Sequence, residues 1–146
     1  MNRPGLCWVA GLVMADDGKQ ILLIERDEQQ WDLPSGPLYR SEPIAQAVRR
    51  VVSEQATLGV RVGHLIGVHD VREGVAEAGQ AAVKTTLVFT AQHVLGRPTP
   101  AGPTRRCRWV PLTHAAPMLG PARAVQLTGA AAATPQPAMT LNSGKP

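Results

Sequence analysis

WDLPSGPLYRSEPIAQAVRRVVSEQATLG, residues 31–59, joins a proline- and glycine-rich loop to a pattern of helical length. Pro34, Gly36 and Pro37 mark a constrained loop, because two fixed φ angles and one permissive residue leave the backbone few alternatives. Ser41 is suited to cap a helix, and Pro43 to its first turn, where the missing N–H would go unpaired anyway. From there Ile44, Ala47, Val48, Val51, Val52 and Gln55 recur at helical spacing, giving one stripe that turns toward a core, and Gly59 offers a stop. Val51, Glu54 and Gln55 stand at i, i+3 and i+4 and so share one face of that helix.

N-terminal to this segment, Leu6 to Met14 is an apolar, β-compatible run, and Asp16-Asp17-Gly18-Lys19 carries the Asp-Gly chemistry of a hairpin turn. Gln20 to Arg26 is its natural partner strand. Beyond the helix, Val60 to His69 and Ala81 to His93 read as two strands separated by a polar loop, Asp70 to Gln80. Gly96 to Thr104 is a Pro/Gly-rich loop and Arg106 to Leu112 a short strand. Thr113 to Leu127 reads as a helix broken by proline between Pro117 and Pro121. Gly129 to Pro146 is rich in Ala, Pro, Thr, Gly and Ser and is expected to be a disordered tail, leaving one domain over 1–128. Strands flanking two helices in this order give a layered α/β domain.

Composition sets bounds around this. With 146 residues, 44% of them apolar, the chain is long enough for one core. A formal charge of +4 and an isoelectric point near 9.7 favour phosphate-bearing partners on electrostatic grounds. Arginines are dispersed, and the one dense run is Arg105, Arg106, Arg108. A single Tyr and a single Phe leave little for base stacking, which argues against a nucleic-acid binder. Cys7 and Cys107 form no CxxC pair, and no zinc site or disulfide framework follows; a reducing cytoplasmic compartment is expected. Leu6 to Met14 is too short to span a membrane and lacks the cleavage signature of a signal peptide.

The quoted segment resembles the Nudix box: a glycine, five residues, a glutamate, seven residues, Arg-Glu, an apolar residue, any residue, Glu-Glu, any residue, Gly and an apolar residue. Gly36, Glu42, Arg50, Val52, Glu54 and Leu58 match without a gap. Leu33-Pro34-Ser35-Gly36 looks like the family's Leu-Pro-Gly-Gly lead-in, and Arg108-Trp109-Val110-Pro111-Leu112 like its late Trp strand. The resemblance implies an α/β/α sandwich with a mixed sheet and a loop-helix-loop box. It also implies hydrolysis of a nucleoside diphosphate linked to another group, with Mg²⁺ or Mn²⁺ as cofactor. Family members are commonly dimers, so a homodimer is compatible, though no residue here demands one.

Departures from the pattern bear on that activity. Val51 and Gln55 stand where the family has glutamates, Thr57 replaces the box glycine, and Ser35 replaces a lead-in glycine. Three carboxylates on one helical face converge on hard cations, which neutralise a pyrophosphate and activate an attacking water. Here Glu54 is the one anionic ligand left, with the Gln55 amide as a weak companion, so Mg²⁺ or Mn²⁺ is expected to bind weakly and with substrate phosphates. The loop Pro98 to Arg106, from which many family members draw a further acid, has none. Glu42 and Arg50 are, by the resemblance, scaffold that orients the helix.

Two functional readings of different class follow. One is a binding or regulatory domain for a nucleotide-like small molecule, with hydrolysis weak or lost. The other is a divergent hydrolase that uses Glu54 and relocated acids, for which Asp70, Glu73 and Glu77 are the candidates. The histidines, His64, His69, His93 and His114, show no metal spacing. Arg106 and Arg108 share a strand face and suit either a solvated edge or a metal-free contact to a diphosphate. Trp31 suits either core packing or stacking on a base.

Overall fold

The computed structural model describes residues 7–73 and 82–119. The expected tail 129–146, the helix beyond Leu119 and Glu77 lie outside them. The elements are β1 (Cys7–Met14), β2 (Gln20–Asp27), β3 (Gln30–Asp32), β4 (Ser35–Pro37), α1 (Ile44–Ala56), β5 (Gly59–Glu73), β6 (Ala82–Leu95), β7 (Arg106–Pro111) and α2 (Leu112–Met118). The sheet runs β3-β2-β1-β6-β5, with β4 added to β1 and β7 to β2. It is mixed, because β1 and β6 are parallel while the other pairs are antiparallel.

Two-residue periodicity with both faces covered explains why β1 and the Ile21–Ile24 run of β2 are apolar without alternation. Ala10, Leu12, Ile21 and Leu23 pack in one cluster with Ala115 of α2. Their sequence neighbours point the other way. Val13, Leu22 and Ile24 meet Val52 and Ala56 of α1, and Val9 meets Ala47, Val48 and Val51. The sheet therefore carries α1 on one face and α2 on the other, the expected α/β/α layering. β1 and β2 join through the turn at Gly18, whose φ of +69° is free for glycine, and Lys19 N–H donates to Asp17 Oδ1 at 2.8 Å. Beyond Met14↔Ile21 the two strands take different partners, β4 and β6 for β1, β3 and β7 for β2. The box loop lies in the opening between them, with Gly11 N–H bonded to Pro34 O at 3.0 Å.

The structure moves both ends of the box helix. Ser41, with φ +65°, lies before the cap, and Pro43 (φ −59°, ψ 140°) is the N-cap, with no side-chain hydrogen bond. A residue preceding proline is driven to extended backbone, so Glu42 cannot begin the helix and entry waits until Ile44. At the other end Gly59 is not the stop. The chain leaves the helix at Thr57, whose left-handed φ of +60° is borne by a β-branched residue, and Gly59 already opens β5. Loop residues complete that end: Thr99 N–H donates to Ala56 O at 2.8 Å, and Thr57 Oγ1 donates to Thr99 O at 2.9 Å. The acid-free loop before β7 is thus a cap for the C-terminus of α1.

Elsewhere the bounds shift modestly. The Trp31–Pro37 loop contains the two short strands β3 and β4, and β5 continues through Asp70 to Glu73 with bulges between Val62 and Gly67. α2 begins at Leu112 and holds Pro117 within it, and Leu119 is already extended.

Candidate functional site

Two groups of polar side chains hold the box loop, and a third lies across the sheet from them. The first is a charged knot at the loop's exit. Arg50 Nε donates to Glu42 Oε2 at 2.7 Å, and its Nη2 donates to Glu42 Oε1 at 3.0 Å and to Pro37 O at 2.8 Å. Its Nη1 reaches Glu54 Oε1 at 3.1 Å, one turn along α1, while the exposed Tyr39 ring lies 4.2 Å from the guanidinium carbon. The bidentate geometry suits a planar guanidinium on a carboxylate. Arg50, and then Tyr39 N–H, hold the Glu42 carboxyl below its ordinary range against the effect of burial; Glu42 in turn raises Arg50.

The second group is a neutral clasp. Gln55 is buried, and its Oε1 accepts from Ser35 N–H at 3.1 Å and from Arg26 Nη2 at 2.9 Å. Its Nε2 donates to Ser35 O at 2.7 Å, an oxygen that Arg26 Nη2 also reaches at 2.7 Å. The amide therefore serves as donor and acceptor at once and satisfies both backbone groups of Ser35. A carboxylate could take over only the acceptor half. Beside it Val51 is 1% exposed, packed with Val9, Ala47 and Val48. A Cβ added at Gly36 would stand 3.1 Å from Val51 Cγ2, so the glycine keeps the loop flat on that valine.

The third group stands on the opposite face of the sheet. β2 sets Arg26 toward α1 and Glu25 toward the α2 side, as alternation requires. Glu25 faces Trp31 of β3 and Arg106 of β7, and Leu23 faces Arg108. Arg106 donates through Nε at 2.7 Å and Nη2 at 3.0 Å to the two Glu25 oxygens, and Gln29 N–H adds a bond of 2.7 Å. The Arg106 bond, assisted by Gln29, holds the Glu25 pKa down to about 2 despite burial. Both guanidinium carbons lie near the Trp31 ring, Arg106 at 5.3 Å and Arg108 at 5.7 Å from its centroid, within cation–π range.

A family model for the NUDIX domain matches residues 6–128. The chain belongs to the Nudix family. A curated relative, a "MutT-like protein" of Streptomyces ambofaciens, is 36% identical over 61 residues, which is 42% of this chain and 40% of that protein. The match thus spans less than half of the relative's length. The fold is shared with a NUDIX hydrolase from Nitrosomonas europaea (TM-score 0.68, 20% identity, covering 96% of this chain and 98% of that one). It is also shared with the NUDIX domain of Shewanella oneidensis NrtR, solved in complex with ADP ribose (TM-score 0.67, 18% identity, covering 90% and 89%).

The divalent cation that the Nudix family implies can be tested against the donors present. Val51 has no donor atom, and Gln55 Oε1 already accepts two N–H groups, one from a guanidinium whose charge opposes a cation there. Glu54 is left, its side chain 57% exposed and shared with Arg50. Among the described residues no three His, Cys, Asp or Glu side chains converge on a point that could hold a metal. Asp70 lies in β5 with Oδ1 accepting from Thr85 Oγ1 at 2.7 Å. These donors do not fit a resident Mg²⁺ or Mn²⁺ held by the protein alone.

Of the residues singled out from sequence, Gly36, Glu42, Arg50, Glu54 and Gln55 meet around the box loop, and Trp31, Arg106 and Arg108 meet on the other face of the sheet. Sequence reasoning missed Arg26 and Glu25. Their signal was an acid–base pair closing the otherwise apolar run Ile21 to Ile24; its two charges must leave on opposite faces, and a buried one needs a partner.

Proposed function

We propose that this Nudix-family chain binds a nucleoside-diphosphate-linked small molecule and hydrolyses it weakly or not at all, serving as a binding or regulatory domain. One observation carries the reading: on the helical face where the family gathers carboxylates, Val51 is core and the Gln55 amide is fully engaged with Ser35 and Arg26. Without converging carboxylates there is little to hold a cation that would lower the pKa of an attacking water. The ligand class is supported by family membership and by the similar NrtR domain solved with ADP ribose. Trp31, Arg106 and Arg108 are assigned to ligand contact, Arg108 as a cation with no ion pair among the described residues and Arg106 as one already paired with Glu25, with free thiols at Cys7 and Cys107 consistent with the cytoplasm.

A second reading rests on the exposure of Glu54: substrate phosphates could complete a shell around Mg²⁺ or Mn²⁺ that this one carboxylate begins. A phosphate-release panel with nucleoside triphosphates, ADP-ribose, dinucleoside polyphosphates and NADH, each with Mg²⁺ or Mn²⁺, separates the two. Binding of ADP-ribose without metal-dependent release is the expected result. Turnover that Glu54→Gln abolishes would establish the hydrolase instead.

A further inference from the structure

Glu25 has a place in none of the family features above, yet it is the charged side chain buried most deeply among the described residues, at 1% exposure. Such a carboxylate is tolerated only when paired and hydrogen-bonded, and Arg106 supplies the pair. The consequence falls on the basic strand. Arg106 is 63% exposed and reads from sequence as an available cation, but its Nε and Nη2 are already committed to Glu25. Arg108, one strand repeat away on the same face, is exposed and enters no ion pair among the described residues. Arg105 is exposed beside them. Together Glu25, Arg106 and Arg108 carry a formal charge of one positive unit rather than two.

We propose that Glu25 is a specificity-determining residue: by holding Arg106 neutralised beside Trp31, it leaves Arg108 to meet the phosphates and fits the site to a diphosphate diester rather than to a ligand ending in a free phosphate. This rests on the ligand assignment made under Proposed function. A diphosphate diester such as ADP-ribose bears one charge on each phosphate, whereas ATP ends in a more highly charged terminal phosphate that a two-arginine fork would favour. Glu25 touches no ligand in this scheme and acts through Arg106.

The test is calorimetric titration of the full chain with ADP-ribose and with ATP, both without divalent metal, at low and moderate salt. The wild type is expected to bind ADP-ribose more tightly than ATP. Arg108→Gln is expected to weaken ADP-ribose about tenfold, the scale of one charge-assisted contact, with an unchanged melting temperature. Glu25→Gln is expected to release Arg106, raise ATP affinity about tenfold relative to ADP-ribose and steepen the salt dependence, effects that a merely structural role would not produce. Binding of both ligands with an unchanged preference in Glu25→Gln overturns the role given to Glu25 while leaving the ligand assignment standing. Absence of any binding by the wild type overturns both. Should Glu25→Gln fail to fold, Arg108→Gln still decides, because unaltered ADP-ribose affinity in that variant overturns the proposal.

Discussion

At its middle, α1 holds the box loop with charge: Arg50 joins Glu42, Pro37 and Glu54. Little more than a turn later it holds the same loop with a neutral amide, Gln55 on Ser35, in a more buried setting. The difference shows where a Nudix helix can exchange its chemistry without losing its shape. Glu42 and Arg50 neutralise one another, so the knot needs nothing from outside. A set of carboxylates at positions 51, 54 and 55 would repel one another and require a cation to stay together. Valine and glutamine remove that requirement, and they turn the face from a place that gathers charge into one that packs.

Gln55→Ala should cost the most stability. It leaves Ser35 N–H without its acceptor in a buried place and Ser35 O with Arg26 alone, and a loss of about 2 kcal/mol in unfolding free energy is expected from urea titration. A change below about 0.5 kcal/mol, the range of ordinary surface substitutions, would show that the clasp is incidental. Arg50→Ala should follow at no more than about 2 kcal/mol, because it strands a mostly buried Glu42 that water can still partly reach. Arg50→Lys should recover part of that loss, since a point charge keeps the ion pair but not the bidentate fit.

Smaller still, and opposite in sign, Thr57→Gly is expected to stabilise by up to about 1 kcal/mol, because glycine adopts the left-handed C-terminal conformation freely. Loss of the Thr57 Oγ1 bond to Thr99 O offsets part of the gain. A fall in melting temperature would mean that this bond, rather than backbone strain, governs the helix end. The last contrast is silent at neutral pH. Because the folded Glu25 has its pKa depressed to about 2 from an ordinary 4.5, its stabilising effect is complete above about pH 4.5 and is lost as pH falls toward 2. Equilibrium unfolding across that window should show an acid-dependent slope that Glu25→Gln reduces.

Much of this architecture was legible in the residues. Periodicity changing from two to 3.6 and back places β1, β2, α1, β5 and β6, and the ungapped spacing from Gly36 to Leu58 fixes the box. The ends of α1 were less legible, because Thr57 takes a conformation that local preference gives to glycine and is held there by a residue 42 positions away. Separation in sequence hid the chemistry too. Gln55 reads as a weakened ligand until Ser35, 20 residues earlier, is brought against both ends of its amide. Arg106 reads as a free cation until β2 and β7 pair and Glu25, 81 residues earlier, arrives beneath it. Local pattern specifies elements; only their register reveals which polar atoms already have partners.

Manganese titration of the full chain, followed by the electron paramagnetic resonance signal of the free ion, addresses the metal question without needing a substrate. With Glu54 as the single carboxylate on that turn, the free-ion signal should track added Mn²⁺ with no saturable site tighter than roughly millimolar. A stoichiometric site in the low micromolar range, removed by Glu54→Gln, would contradict the reading of this helix as a packed, metal-independent scaffold.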